Sequence, residues 1–174
     1  MKSSAYLQNL IDLLSDSSKD DYSSILKNFN FEAIDFDPFL NWSDEKYTRN
    51  CLYRDSRFEL ILLCWEKGQE TAVHGHDGED CWVYLLEGQM EEVFYEMNQQ
   101  KTLERVDAHH VVPKQLTFMN DRLGYHKLKN IHHGKSMSLH VYAKPIDNCV
   151  YFDERTEAFQ KVSLSYDTVP EPIE

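Results

Sequence analysis

The strongest constraint on the fold is a dense series of short β-favouring segments from Tyr47 onward. Arg57 to Trp65 (RFELILLCW), Cys81 to Leu86 (CWVYLL), Met90 to Glu96, Leu116 to Met119 and Met137 to Tyr142 are rich in β-branched and aromatic residues. Turn residues and charged loops separate them. Strands at this density, with no helical pattern between them, point to an antiparallel barrel or sandwich rather than a parallel α/β sheet. Aromatic residues make up 13% of the chain against only six Gly and five Pro, which suits a compact β-rich domain with few long loops. At 174 residues the chain is long enough for one domain with a sizeable core and no disulfide staples.

The residues ahead of the strands read as helix. Leu7, Leu10, Ile11 and Leu14 recur at i, i+3, i+4 and i+7, with Ser3 or Ser4 as the expected cap and Ser15-Asp16-Ser17-Ser18 as the expected stop. A second helix is expected from Tyr22 to Asn28 with Ile25 and Leu26 inward, and a turn or short helix at Phe36-Asp37-Pro38-Phe39. Their expected role is packing against the sheet. The organisation is therefore a single domain over 1–174, with a helical part over 1–45, a β part over 46–166 and a Pro- and acid-rich tail over 167–174 that frays.

Charge and sorting signals narrow the function. A net charge of −12 disfavours nucleic acid and anionic membrane surfaces, both of which reward a basic face. No apolar run approaches the roughly 18 residues of a membrane helix, and the N-terminus has no cleavable signal pattern. Cys51, Cys64, Cys81 and Cys149 form no Cys-x-x-Cys pair, which removes a zinc ribbon or a thioredoxin site and leaves free thiols in a reducing cytosol. The expectation is a cytoplasmic monomer acting on small molecules.

Eight histidines are present, and two of them form His74-Gly75-His76. On a strand, residues i and i+2 point to one face, so the pair aims two imidazoles at one point, as a metal ion requires. Gly75 permits a bend or a close backbone approach. On the pair alone, two surface histidines in the polar loop HGHDGED remain the alternative. The wider spacing goes further. Gly68, five residues, His74, one residue, His76, four residues, Cys81, six residues and Gly88 resemble the first signature of the cupin superfamily. His126 with Asn130 four positions later resembles the end of its second signature. The implied fold is a cupin-type antiparallel β-barrel, or jelly roll, with N-terminal helices. Cys81 stands where that superfamily places a metal-binding Glu, so a site of His74, His76 and His126 has three neutral nitrogens and open positions. Imidazole suits Zn, Cu, Fe and Ni, so the ligands alone do not name the ion, and a three-His hydrolytic zinc site stays possible.

The departure at Cys81 is itself informative. Together with Tyr142 in SLHVY it resembles the cysteine dioxygenase family, as do YTRN (Tyr47 to Asn50), CWEKGQ (Cys64 to Gln69), HGHDGEDC (His74 to Cys81), LLEG (Leu85 to Gly88), Asn120 to His126, and Pro145 to Cys149. The resemblance runs from about Tyr47 to Asp153. It implies Fe(II) held by His74, His76 and His126, with L-cysteine and O2 as substrates and cysteine sulfinic acid as product. Cys81 and Tyr142 would form a thioether crosslink beside the iron. Arg49 would bind the substrate carboxylate with Tyr47 supporting it, Ser138 and His140 would form a hydrogen-bonded relay to Tyr142, and Cys149 would be a non-ligating thiol near the pocket mouth. Ser138, His140 and Tyr142 alternate on one strand face, a costly arrangement in a plain core but reasonable beside a polar pocket. His109, His110, His132 and His133 are expected in surface loops, and His133 is the one most easily mistaken for a ligand. Three alternatives remain at this point: a dioxygenase of another thiol such as 3-mercaptopropionate, a metal-dependent cupin isomerase or hydrolase, and a metal-free small-molecule-binding cupin.

Overall fold

The structure is a computed structural model describing residues 2–170, with side chains from residue 5 to residue 170. Helix α1 spans Lys2–Ser15 and α2 spans Tyr22–Asn28. Leu7, Leu10, Ile11 and Leu14 are buried, as their spacing predicts. Ser3 and Ser4 lie inside the first turn of α1 rather than ahead of it, whereas the stop after Ser15 falls where the Ser-Asp-Ser-Ser cluster puts it. In α2 the inward residues are Tyr22 and Leu26, and Ile25 packs at the edge of the core. A single 3-10 turn covers Asp37–Phe39.

Ten strands follow: β1 (Thr48–Arg54), β2 (Glu59–Trp65), β3 (Asp80–Glu87), β4 (Met90–Met97), β5 (Leu103–Val111), β6 (Leu116–Met119), β7 (Tyr125–Asn130), β8 (Ser136–Ala143), β9 (Asn148–Asp153) and β10 (Ala158–Ser163). The five apolar segments of the sequence are β2, β3, β4, β6 and β8. The other strands are too polar to stand out. His109 and His110 are a correction: they lie on β5, not in a loop. That strand is the outer member of its sheet, held by backbone pairing to β4 while most of its side chains face water, which is why its composition reads as loop.

One sheet has the order β1-β2-β8-β3-β6, a second β5-β4-β7, and β9 pairs with β10. All of these strand pairs are antiparallel. The extended stretch from Glu70 to His74 bridges β7 on one side and β9 on the other, extending the second sheet into a layer facing the first. The architecture is the expected jelly roll, as two facing layers.

The central sheet is buried on both faces. Leu60, Leu62 and Cys64 of β2 pack with the helices, while Ile61, Leu63 and Trp65 point between the layers. The same alternation on β8 sends Leu139 and Val141 to the helices and Ser138, His140 and Tyr142 inward. The last segment does not fray at its start. Arg49 N donates to Asp167 Oδ2 and Asp167 N to the Arg49 carbonyl, both at 2.8 Å. Thr168 bridges Asn50 in parallel sense, so both residues are laid along β1. The rest of that tail, 171–174, lies outside the described residues.

Candidate functional site

The three histidines expected to gather do so through backbone pairing. His74 N donates to the His126 carbonyl at 2.9 Å and His126 N to the His74 carbonyl at 3.1 Å, so the two residues sit directly opposite each other. His76, two positions on, joins them: the ring centroids lie 5.2 Å (His74–His76), 4.6 Å (His74–His126) and 4.8 Å (His76–His126) apart. One ligand atom from each lies within 4.8 Å of the other two, close enough to share an ion. The turn is pinned by Asp121, whose carboxylate accepts from His76 N and Gly78 N, each at 2.6 Å. Gly75 gives the turn room, because a Cβ would come to 3.1 Å from both Asp121 Oδ1 and Val150 Cγ2 and crowd them.

The nitrogens are prepared to bind a cation. His74 Nδ1 is 3.0 Å from the Ala72 carbonyl and His126 Nδ1 is 2.7 Å from Glu92 Oε1, so each ring donates from Nδ1 and keeps a lone pair on Nε2. His126 Nε2 and both ring nitrogens of His76 are buried without a hydrogen-bond partner among the described residues. Burial, then the charge of His126, pulls the His74 pKa down to about 3, and the same causes put His76 well below its usual range. Buried neutral imidazoles with unused lone pairs fit a divalent transition metal.

Glu92 is a functional candidate that the sequence reading missed. It is fully buried on β4 and pairs with His126 while its other oxygen lies 3.3 Å from His109 Nε2. The signal was available: Met90, Glu92 and Phe94 alternate in MEEVFYE, which puts a carboxylate in phase with an apolar position. The carboxyl group thus stands behind His126, bonded to its Nδ1, the ring nitrogen other than the unpartnered Nε2.

Beside the triad lies a cavity of about 170 Å³, lined by Tyr47, Arg49, His74, His140, Tyr142 and Cys149 together with aliphatic side chains. That is below the roughly 300–1,000 Å³ of drug-sized sites and suits a molecule of a few heavy atoms. Arg49 reaches it from β1, and its Nε and Nη2 are buried with no hydrogen-bond partner among the described residues. Burial alone would lower the Arg49 pKa. Tyr142, Tyr47 and Glu59 more than offset that and raise it, so the guanidinium stays charged. Tyr47 stacks on Trp65 at 4.5 Å, which fixes that wall. Burial pushes the Cys149 thiol up.

Cys81 and Tyr142 are directly paired across β3 and β8, and both are buried. Burial raises the Cys81 pKa above its usual range, and a hydrogen bond with Tyr142 partly counters it. Burial and the neighbouring Cys81 likewise raise Tyr142. The hydrogen-bonded chain on β8 begins at Trp65, which the sequence reading did not include. Trp65 Nε1 donates to Ser138 Oγ at 3.0 Å, and Ser138 Oγ lies 2.9 Å from His140 Nε2. An indole only donates, so Ser138 Oγ accepts from Trp65 and is held within hydrogen-bond reach of His140 Nε2. Burial, then the Arg49 charge, keeps His140 neutral. Tyr142 meets His140 through ring stacking, with centroids 6.4 Å apart. His132 and His133 lie outside this cluster, in the turn after β7.

Residues 4–155 match the family described as cysteine dioxygenase type I. Among curated relatives, cysteine dioxygenase type 1 of Homo sapiens is 28% identical over 151 residues, covering 84% of this chain and 76% of that protein. The Rattus norvegicus protein of the same name is 26% identical with the same coverage. A solved Klebsiella pneumoniae protein with a double-stranded β-helix domain superposes with a TM-score of 0.51 at 16% identity, covering 63% of this chain and 82% of that one, which is a likeness of fold alone.

Proposed function

Because the chain belongs to the cysteine dioxygenase type I family, we propose that it adds both atoms of O2 to the thiol of L-cysteine, giving cysteine sulfinic acid. His74, His76 and His126 would hold the metal, which we take to be Fe(II). Bound there, the iron would supply open positions where the substrate thiolate and O2 meet. The observation that supports this reading is a pair of unmet demands joined by one residue. His74 lines the small cavity together with Arg49, whose Nε and Nη2 lack partners among the described residues, and His74 gathers with His76 and His126, whose buried ring nitrogens also lack partners there.

The chain's own residues divide the work as follows. Arg49 binds the carboxylate through Nε and Nη2, a bidentate, charge-assisted contact that fixes the distance from carboxylate to thiol. Tyr47, stacked on Trp65, keeps the guanidinium side of the cavity from collapsing. The Trp65–Ser138–His140 chain orients the His140 ring beside Tyr142. Tyr142 presents its hydroxyl toward Arg49 and Cys81, and the aliphatic lining excludes bulk water.

The test combines metal analysis with oxygen uptake at equal iron loading on L-cysteine, 3-mercaptopropionate and cysteamine. L-cysteine should be oxidised with one O2 consumed per sulfinic acid formed. Cysteamine lacks the carboxylate and should fall on the order of 10- to 100-fold in kcat/KM, since a charge-assisted hydrogen bond contributes roughly 1.5–3 kcal/mol. Arg49→Gln should cost L-cysteine a similar factor while leaving iron content unchanged. Equal rates for cysteine and cysteamine in the wild type would remove Arg49 as the selective contact, and a preference for 3-mercaptopropionate would reassign the substrate.

A further inference from the structure

A buried carboxylate stands near the guanidinium that the substrate needs. Glu59 opens β2, is fully buried, and is the register partner of Tyr142. Its charge is near enough to contribute to the raised Arg49 pKa. An internal anion so placed competes with an incoming carboxylate unless something else occupies it. Glu59 is occupied. Its Oε1 accepts from Ile146 N at 3.1 Å, and its Oε2 accepts from the Tyr166 hydroxyl and lies 3.5 Å from Arg54 Nη1. Arg54 Nη1 also donates to the Tyr166 oxygen at 2.6 Å, and Arg54 Nη2 donates to Asp147 at 2.7 Å. The Tyr166 ring lies 6.0 Å from Arg49 Cζ and 5.9 Å from Arg54 Cζ, so one aromatic side chain touches both cations while its hydroxyl holds the anion. Tyr166 follows β10, past the end of the family match at residue 155, in the stretch held on β1 by Asp167 and Thr168.

We infer that Tyr166 is a positioning residue for substrate recognition: its hydroxyl retains Glu59 and thereby leaves Arg49 free for the carboxylate of the substrate. This rests on the reading of Arg49 as the carboxylate contact. Burial and the bond to Glu59 raise the Tyr166 pKa, so it acts as a donor at neutral pH. Without the hydroxyl, Glu59 Oε2 keeps only the 3.5 Å approach of Arg54 Nη1, whose guanidinium is tied to Asp147 through Nη2, and the guanidinium donors buried without partners among the described residues are those of Arg49. The resulting internal pair would have to open before any carboxylate bound. That cost falls equally on bound substrate and transition state, so it raises KM and leaves kcat alone.

The experiment compares wild type, Tyr166→Phe and the double variant Tyr166→Phe/Glu59→Gln at equal iron loading. L-cysteine and cysteamine are measured by steady-state oxygen uptake and by equilibrium binding under argon. Tyr166→Phe should raise KM and the dissociation constant for L-cysteine about tenfold, with kcat and both cysteamine values unchanged. Glu59→Gln in the same chain should restore L-cysteine to within about twofold, because a neutral amide does not compete with a carboxylate. An unchanged KM in Tyr166→Phe, an equal loss for cysteamine, or no rescue by Glu59→Gln each overturns the inference. If the wild type binds L-cysteine in preference to cysteamine but consumes no oxygen, and Tyr166→Phe abolishes that preference, the dioxygenase reading fails and this one stands. Absence of any carboxylate preference in wild-type binding defeats both.

Discussion

Cys81 and Tyr142 occupy facing positions on two paired strands, where Cβ atoms stand about 4.5–5.5 Å apart, so a thiol sulfur and an aromatic ring are held in contact by the register. A thioether between them removes two hydrogens, which O2 can accept. Its extent should therefore grow with iron, oxygen and turnover. Mass spectrometry of a tryptic digest should show the two peptides joined and two hydrogens lighter. Cys81→Ser should abolish the join and retain the metal, and loss of metal would instead make the sulfur a ligand. Glu92→Gln tests the support behind His126. Removing the carboxylate that orients a metal-binding imidazole weakens metal affinity on the order of 10- to 100-fold. A chelator competition should register that loss with the apo protein's melting curve little changed. The histidine triad was legible because metal binding demands particular residue types at particular spacings, and the alternation on β8 was legible from its period of two. Glu92 and Trp65 were harder to read, since a carboxylate in a charged strand and a Trp in an apolar run take their meaning only from what faces them across the sheet.

Among the elements, the turn between β3 and β4 is the least forgiving. Gly88 has φ of +89°, and a Cβ there would fall 1.8 Å from Ser136 Oγ and 2.8 Å from Ser136 Cα. Ser136 Oγ in turn donates to Asn130 Oδ1 at 2.7 Å, so it cannot move without opening a second buried contact. Gly88→Ala should destabilise the protein by about 2–4 kcal/mol, combining backbone strain with overpacking, as a denaturant titration would show. A loss below about 1 kcal/mol would mean the turn relaxes freely. The glycine was legible as part of LLEG. The strands that escaped sequence reading, β5 and β10 among them, carry few buried side chains and are held by backbone hydrogen bonds that any residue but proline can make.

At the scale of the whole molecule, the apolar layers and the metal site are separable. The helices cover one face of the central sheet and the inner cluster fills the other, while the triad joins Gly75's turn to β7 at one side. The apo protein should therefore keep its β-sheet circular dichroism after chelation. Adding Fe(II) at about 100 times its dissociation constant should stabilise it by about 2.7 kcal/mol, the increment expected of a ligand that binds only the folded chain. Collapse of the spectrum on chelation would show instead that the metal organises the fold. Strand density pointed to an antiparallel barrel or sandwich, and the spacing of Gly68, His74, His76, Cys81 and Gly88, through its resemblance to the cupin signature, narrowed that to the jelly roll. The pairing of Asp167 and Thr168 with β1 was not legible, because a Pro- and acid-rich segment gives no sign of which strand will receive it.

The double burial of β2 has a consequence for how variation in this chain is felt. Leu60, Leu62 and Cys64 answer to the helices, while Glu59, Ile61, Leu63 and Trp65 answer to the pocket and its surroundings. Neighbouring codons on this strand are thus under different kinds of selection. Changes at even-numbered positions lower how much folded protein a cell keeps, and changes at odd-numbered ones, which are core positions too, add to that an effect on the pocket and its surroundings. Scanned one residue at a time, the strand would show its pleat as alternating phenotypes.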